Sequence, residues 1–178
     1  METTDPRRSA EHDLMGAVWH PESADALLAE AIRLARFAHA GHVDADGHSA
    51  IDHPLRVMAG MSDVNARIVA ALHDTLVGTV TVMRDLRVLL PHRPLMAVAT
   101  FEHADDGPEG ISFQLIRADS LALQVRRACI ADLADPARLA ELDPFTRRRR
   151  ENDGAAAARQ LGTTLPEILA EWNVRRAL

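Results

Sequence analysis

The stretch VNARIVAALHDTLV, residues 64–77, decides which fold this sequence can adopt. It is an apolar run with the pattern of a buried helix, and Asp63 precedes it as an N-cap. The run contains one polar pair, His73 and Asp74. An adjacent histidine and aspartate can ligate one metal ion together, whereas the plainer interpretation is a hydrogen-bonded polar spot near a helix end.

Helical patterns continue on both sides of this stretch, and no segment alternates as a β-strand does. Ser23 caps a segment that Gly41 ends, and Pro54 lies in the first turn of the next helix, where its missing N–H is harmless. We therefore predict an all-α, single-domain helical bundle over residues 21–178, preceded by a loose arm at residues 1–20. Further helices are predicted at residues 79–91, 95–103, 111–119, 121–135, 144–162 and 165–178, with a loop at 104–110.

The composition excludes several classes of protein. The chain of 178 residues is long enough for one core, and no apolar run approaches the roughly 20 residues that cross a bilayer. A formal net charge of −6 argues against nucleic acid as a partner. All 20 basic residues are arginine, which excludes lysine Schiff-base chemistry. The single cysteine, Cys129, excludes an intramolecular disulfide and a cysteine-rich zinc site, and with no signal peptide in view we expect a cytoplasmic protein.

Two further residues extend the His-Asp pair to a candidate metal site. His53 begins the preceding helix, in DHPLRV, and Asp132 lies late in the chain, in ACIADLAD. Together with His73 and Asp74 they offer a mixed nitrogen and oxygen ligand set that suits Mn²⁺, Fe²⁺ or Zn²⁺ rather than a sulfur site. Because this set leaves coordination positions open, it is typical of a catalytic rather than a structural metal site.

The order of these segments resembles that of the HD-domain phosphohydrolases of the RelA/SpoT type. Residues 38–42, AHAGH, resemble the family's A-H-x-G-Q, and residues 49–54, SAIDHP, resemble P-Y-x-x-H-P. Residues 70–79, AALHDTLVGT, resemble A-A-L-L-H-D-x-x-E-D-T, and VRRACIADLADP, at 125–136, resembles V-K-L-A-D-x-x-x-N. The resemblance covers about residues 25 to 160 and is closest to the small single-domain guanosine polyphosphate pyrophosphohydrolases.

This resemblance implies a helical bundle around one divalent metal ion, in first place Mn²⁺, with Fe²⁺, Zn²⁺, Ni²⁺ and Co²⁺ as alternatives. It assigns the ligand roles to His53, His73, Asp74 and Asp132. The family removes the 3′-pyrophosphate from guanosine tetra- and pentaphosphate, and some small relatives act on other nucleotides. The expected partner is thus a nucleotide or a small phosphorylated molecule, with no membrane and no nucleic acid, and association into a homo-oligomer is left open.

The sequence departs from the family pattern around the metal ligands. Val77 and Gly78 replace a Glu-Asp pair that is thought to position or activate the attacking water, which neither residue can do. The family's basic loop becomes HVDADGH, residues 42–48, whose acidic residues would repel a polyanion, so we expect a less charged substrate. Ala50 stands where the family has a tyrosine, Cys129 where it has a lysine, and Pro136 where it has an asparagine.

Two functions follow as alternatives. The first is a divergent metal-dependent phosphohydrolase in which Asp74 and either His42 or His48 serve catalysis, because both histidines lie in the loop expected to approach the metal. The second is a catalytically impaired module that binds a metal or a nucleotide for regulation. A purely structural protein and an oxygen-using metal enzyme of the same fold complete the alternatives. Other residues available as a base are Glu102, Asp105, Asp106 and Asp119.

Two further features of the sequence each have two interpretations. The run of residues 147–150, RRRR, is expected to be a solvated helix face, with anion binding as the alternative. Trp172 in the last predicted helix is expected to pack into the core, with a dimer contact as the alternative.

Overall fold

The computed structural model describes residues 23–102 and 111–177. Within these ranges the regular structure is helical, and the only β pairing is an isolated antiparallel bridge between Val43 and Ser49. The all-α prediction is therefore confirmed. The helices are α1 (Ala24–Ala38), α2 (Asp52–Ala59), α3 (Val64–Leu72), α4 (Met83–Leu89), α5 (His92–Ala99), α6 (Ile111–Ala118), α7 (Ser120–Leu133), α8 (Pro136–Leu139), α9 (Pro144–Gln160) and α10 (Leu165–Arg176).

Helix α3 lies at the centre of the bundle and contacts α1, α2, α5 and α7. Asp63 caps it as predicted, because its side chain accepts the Ala66 N–H at 3.0 Å. Ile68, Val69 and Leu72 are fully buried between the neighbouring helices. Each such side chain contributes roughly 1.5–3 kcal/mol to folding, so the apolar run accounts for the position of this helix.

The end of α3 differs from the prediction. The helix stops at Leu72, and His73 and Asp74 lie in the turn that follows it. Thr75 donates its hydroxyl to the Leu72 carbonyl oxygen at 2.7 Å, which competes with continued helical bonding. Gly78 then adopts a φ of 68°, in the left-handed region that favours glycine. The His-Asp pair is therefore presented by a fixed turn rather than by a helix interior.

Two other helix boundaries were predicted wrongly. α4 begins at Met83, so residues 79–82 are not helical, and Val82 has an extended backbone with φ −121°. Branching at Cβ disfavours the helix for Val80 and Val82, and this outweighs the apolar pattern. α5 begins at His92 rather than at Leu95, because Pro94 is tolerated in a first helical turn.

Helix α10 packs against the hydrophobic core through Ile168 and Trp172. Trp172 is 3% exposed and belongs to the hydrophobic core, which favours core packing over a dimer contact. Its ring packs so closely on Gly60, just after α2, that a Cβ at position 60 would overlap it. Among the described residues, none of the helices is both long and apolar enough to cross a membrane. The predicted arm at 1–20 and loop at 104–110, with Asp105 and Asp106, lie outside the described residues.

Candidate metal centre and its cavity

His53 and Asp132 join α2 to α7. The Nδ1 of His53 donates to Oδ2 of the buried Asp132 at 2.8 Å. Two guanidinium groups hold the same carboxylate: Arg56 binds both oxygens at 2.9 and 3.0 Å, and Arg138 binds Oδ2 at 2.7 Å. The carboxylate thus fixes the orientation and the tautomer of His53, and Nε2 is left as the free nitrogen of the ring.

His73 is oriented in a similar way at the end of α3. Its Nδ1 lies 2.8 Å from the carbonyl oxygen of Ala70, so Nδ1 is the donor and Nε2 faces the other way. Nε2 lies 3.1 Å from Oδ1 of Asp74. The ring packs edge-on against His53 and Phe101, with centroids 5.2 and 5.5 Å apart. His73 thus lies beside both His53 and Asp74, so three of the four predicted ligands are neighbours through this one residue.

Cys129 belongs to the same cluster. One nitrogen of His53, one nitrogen of His73 and Sγ of Cys129 all lie within 4.8 Å of one another. From the sequence, Cys129 was predicted neither as a ligand nor as part of the site. A signal was present, because Cys129 precedes Asp132 by three residues on α7 and therefore shares its helix face.

A cavity of about 640 Å³ opens above these residues, a size common for small-molecule sites. His53, His73 and Asp74 line it, and Val77 and Gly78 form part of the wall. The positions at which the resembling enzymes carry a Glu-Asp pair therefore do face the site, and here they bring no carboxylate to it.

His39 is a second residue that the sequence analysis missed. It ends α1, lines the cavity and is 6% exposed. Its Nε2 has no hydrogen-bond partner among the residues that the structure describes. Because buried polar atoms are nearly always satisfied, this nitrogen points to a bound ligand or water in the cavity. The signal in the sequence was the AHAGH segment itself, in which only His42 was considered.

Only some of the residues proposed as a catalytic base line the cavity. His42 lines the cavity, whereas His48 is not among the residues that line it and lies with Nδ1 3.9 Å from Oδ1 of Asp44. Asp119 caps α7 by accepting the N–H groups of Leu121 and Ala122, and Glu102 is exposed away from the cavity lining. Of the described candidates, the geometry brings only His42 and Asp74 to the cavity.

Two arginines enter the cavity wall from helices that the sequence analysis did not connect with it. Arg126, on α7, stacks over the Phe113 ring at 5.4 Å, and its buried Nε has no hydrogen-bond partner within the described part of the chain. Arg150, on α9, binds Oδ2 of Asp46 at 3.1 Å. The expected acidic character of the 42–48 loop is thus partly neutralised, and the cavity wall contains two guanidinium groups beside Asp44 and Asp74.

The run at 147–150 divides into two kinds of residue. Arg148 and Arg149 are exposed, as expected for a solvated face. Arg147 instead donates to the carbonyl oxygens of Leu139 and Ala140 at 2.8 and 3.1 Å, which stabilises the end of α8. With Arg150 in the cavity wall, the expectation of a uniformly solvated run was wrong, because α9 packs two of the four side chains inward.

The charged groups of the cluster shift one another's pKa values. Burial raises the pKa of Asp74, but the charge of His73 and its hydrogen bond outweigh burial and hold that pKa well below its usual range. Burial lowers the pKa of His73, but the charges of Asp74 and Cys129 hold it well above its usual range. Burial raises the pKa of the Cys129 thiol, but His73 and His53 lower it to about 6. The charges of the histidines thus favour the anionic forms of Asp74 and Cys129, and these two anions in turn favour the protonated form of His73.

Asp132 makes the stability of the fold sensitive to acid. Burial raises its pKa, but His53 and Arg56 lower it from 3.8 to about 2. This shift stabilises the folded protein at pH values above 3.8, the ordinary pKa of an aspartate. The stabilisation is lost as the pH falls through about 2, the pKa of Asp132 in the folded protein. We expect wild-type protein to lose about 2 kcal/mol of unfolding free energy between about pH 5 and about pH 2 that Asp132→Asn does not lose.

Urea unfolding in the presence of a chelator measures this difference. Asp153→Asn is the matched control, because Asp153 is an exposed residue of α9 paired only with Arg149. Parallel pH profiles for wild type and Asp132→Asn would contradict the assignment.

Comparison with known proteins supports the fold. The sequence matches no protein-family model, and it has no significant match among curated proteins. A solved structure described as a metazoan ortholog of SpoT, which hydrolyzes ppGpp and plays a role in starvation responses, superposes with a TM-score of 0.62. The similarity covers 89% of this chain and 98% of the neighbour at 18% sequence identity. The chain therefore has the helical HD-domain fold.

Proposed function

We propose that this protein is a divergent metal-dependent phosphohydrolase that acts on a nucleotide or a small phosphoester. The observation that carries the proposal is the convergence of His53, His73 and Asp74 on the floor of a cavity of about 640 Å³. The shared fold with a protein that hydrolyzes ppGpp and the resemblance of the motif order support the same reaction class.

The residues of the site fit a divalent metal ion. Both histidines have Nδ1 bound to an outer acceptor, Asp132 or the Ala70 carbonyl, and this leaves Nε2 to ligate. The proposed metal ligands are His53, His73 and Asp74. The family resemblance assigns the fourth position to Asp132. A divalent metal bound there would act as a Lewis acid and make its bound water more acidic. By the family resemblance, Mn²⁺ is the first choice.

The chain's own residues supply the rest of the proposed chemistry. Asp74 and His42, both at the cavity wall, are the proposed proton acceptors, because both side chains face the space where substrate would lie. His48 keeps its proposed role only if the 42–48 loop rearranges, since it does not line the cavity. Arg126 and Arg150 provide positive charge for phosphate oxygens.

Arg126 tests the substrate class. We expect Arg126→Gln to raise the KM for a phosphoester by about 10- to 100-fold with a small effect on kcat, because a charged hydrogen bond contributes about 1.5–3 kcal/mol. Arg127→Gln is the matched control, since the adjacent Arg127 binds Glu171 at 2.7 Å and is not part of the cavity lining. Equal KM values for the two variants would contradict phosphate binding at Arg126.

A substrate panel tests the function itself. Purified protein is incubated with Mn²⁺, Zn²⁺ or Co²⁺ and with guanosine tetraphosphate, nucleoside mono-, di- and triphosphates and a generic phosphoester. We expect metal-dependent release of phosphate or pyrophosphate from at least one of these compounds and its loss with a chelator. Absence of turnover on every compound with metal bound would contradict the proposal.

A regulatory binding module is the second candidate function. Val77 and Gly78 favour it, because the cavity wall lacks carboxylates where the resembling enzymes carry them. Such a module would retain the metal and bind a nucleotide at Arg126 and Arg150 without turnover. Equilibrium binding of a nucleotide together with a silent substrate panel would identify it.

Restoring the acidic pair separates the two candidates further. We expect Val77→Glu with Gly78→Asp to produce little guanosine tetraphosphate hydrolysis, because Gly78 has a φ of 68°. A non-glycine residue there costs roughly 1–2 kcal/mol and shifts the turn that carries Asp74. Val77→Glu alone keeps the turn and serves as the control. Strong hydrolysis by the double variant would show that the missing pair is the only defect.

A further inference from the structure

The donor atoms nearest to the two histidines include a sulfur atom. Sγ of Cys129 and one nitrogen each of His53 and His73 lie within 4.8 Å of one another. Since the Nδ1 atoms of both rings are bound to Asp132 and to the Ala70 carbonyl, the nitrogens free to share a ligand with Cys129 are the Nε2 atoms. Cys129 is 1% exposed, at the base of the cluster below the cavity.

Asp132 is placed to orient a ligand rather than to be one. Its Oδ2 already accepts from His53, Arg56 and Arg138, and its Oδ1 accepts from Arg56. Ligation through Oδ2, the oxygen that faces His53, would require it to give up bonds to His53, Arg56 or Arg138 in a buried position, which is costly. The carboxylate–histidine contact that it makes is the usual outer contact of a metal-ligating imidazole.

His39 adds a buried imidazole to the same cavity. Nε2 of His39 has no hydrogen-bond partner among the described residues, and His39 lines the cavity into which His53 and His73 face. An unpaired nitrogen in a residue 6% exposed is a group that a species bound at this end of the cavity would satisfy. The surroundings of Cys129 and the two histidines thus include a third buried imidazole, that of His39, whose Nε2 is unpaired among the described residues.

We propose that Cys129 ligates the metal ion together with His53 and His73, while Asp132 positions His53 from the outer shell. This rests on the metal binding proposed above and deepens it by replacing the fourth ligand. The thiol loses its proton to solvent when the metal binds, and the thiolate forms the bond to the metal. Because thiolate and imidazole ligands suit Zn²⁺ and Co²⁺ better than Mn²⁺, the site prefers these ions.

Cobalt spectroscopy tests the proposal without any assay of activity. The full-length chain is stripped with a chelator, reduced and loaded with Co²⁺ under anaerobic conditions. We expect a thiolate-to-cobalt charge-transfer band in wild-type protein and none in Cys129→Ser. Asp132→Asn should keep the band and bind Co²⁺ about 10- to 100-fold more weakly, as expected for an outer-shell change. Ala128→Ser is the control, because it introduces a hydroxyl group at a buried position of the same helix and leaves Cys129 in place. It should keep the band and bind Co²⁺ with wild-type affinity.

The wild-type spectrum decides the question even where a variant folds poorly. Bound Co²⁺ without a charge-transfer band in wild-type protein would overturn the proposal, as would Cys129→Ser that retains the band. A protein that binds no Co²⁺ or Zn²⁺ at all would overturn it too. The substrate panel is run on the same samples: turnover without the band leaves the proposed function standing, and the band without turnover leaves Cys129 as a ligand in a binding module.

Discussion

Asp74→Asn is expected to lower metal-dependent phosphoester hydrolysis by about 10²- to 10⁴-fold. The side chain faces the cavity, its Oδ1 lies 3.1 Å from Nε2 of His73, and no other described carboxylate makes this contact. Asparagine keeps the size of the side chain but cannot carry the negative charge that attracts the cation. The loss should therefore appear in both kcat and the amount of metal retained.

The measurement combines steady-state kinetics with metal analysis of each purified variant. Asp153→Asn removes a charge from the exposed face of α9 and should leave both quantities at wild-type values. Retention of full metal content and full activity by Asp74→Asn would remove Asp74 from the site. Loss of activity with metal retained would instead assign it the role of base.

Trp172→Ala is expected to cost about 3–5 kcal/mol of unfolding free energy, the range for removing a buried aromatic side chain. The indole packs on Gly60 and against the core cluster that contains Ile168. A typical domain of this kind has about 5–15 kcal/mol in total, so the variant should unfold at mild temperature.

Urea unfolding followed by circular dichroism measures the effect. Val174→Ala, on the exposed face of the same helix, should change stability by less than about 0.5 kcal/mol. Trp172→Phe should fall between them, because it keeps an aromatic ring. A small loss in Trp172→Ala accompanied by a change from dimer to monomer would show that the residue serves an interface instead.

Much of the candidate site follows from spacing along the chain. The His-Asp pair after an apolar run, with His53 twenty residues earlier, predicted three donors that the structure does place together. Cys129 and His39 were missed because a single cysteine and a helix-end histidine have ordinary uses in a core. Arg126 and Arg150 were missed because they lie on helices distant in sequence from the 42–48 loop.

By itself, the sequence determined the helical class and the residues that could meet a cation. Apolar periodicity and N-caps act over a few residues, so α1, α3 and α7 could be predicted from local pattern. Only the tertiary structure decided what each donor does. The packing of α2 and α3 on α7 gives Asp132 to His53 and Arg56 and brings Cys129 to the two histidines. His53 and Arg56 lie 79 and 76 residues from Asp132 along the chain, and no local preference of the chain encodes such contacts.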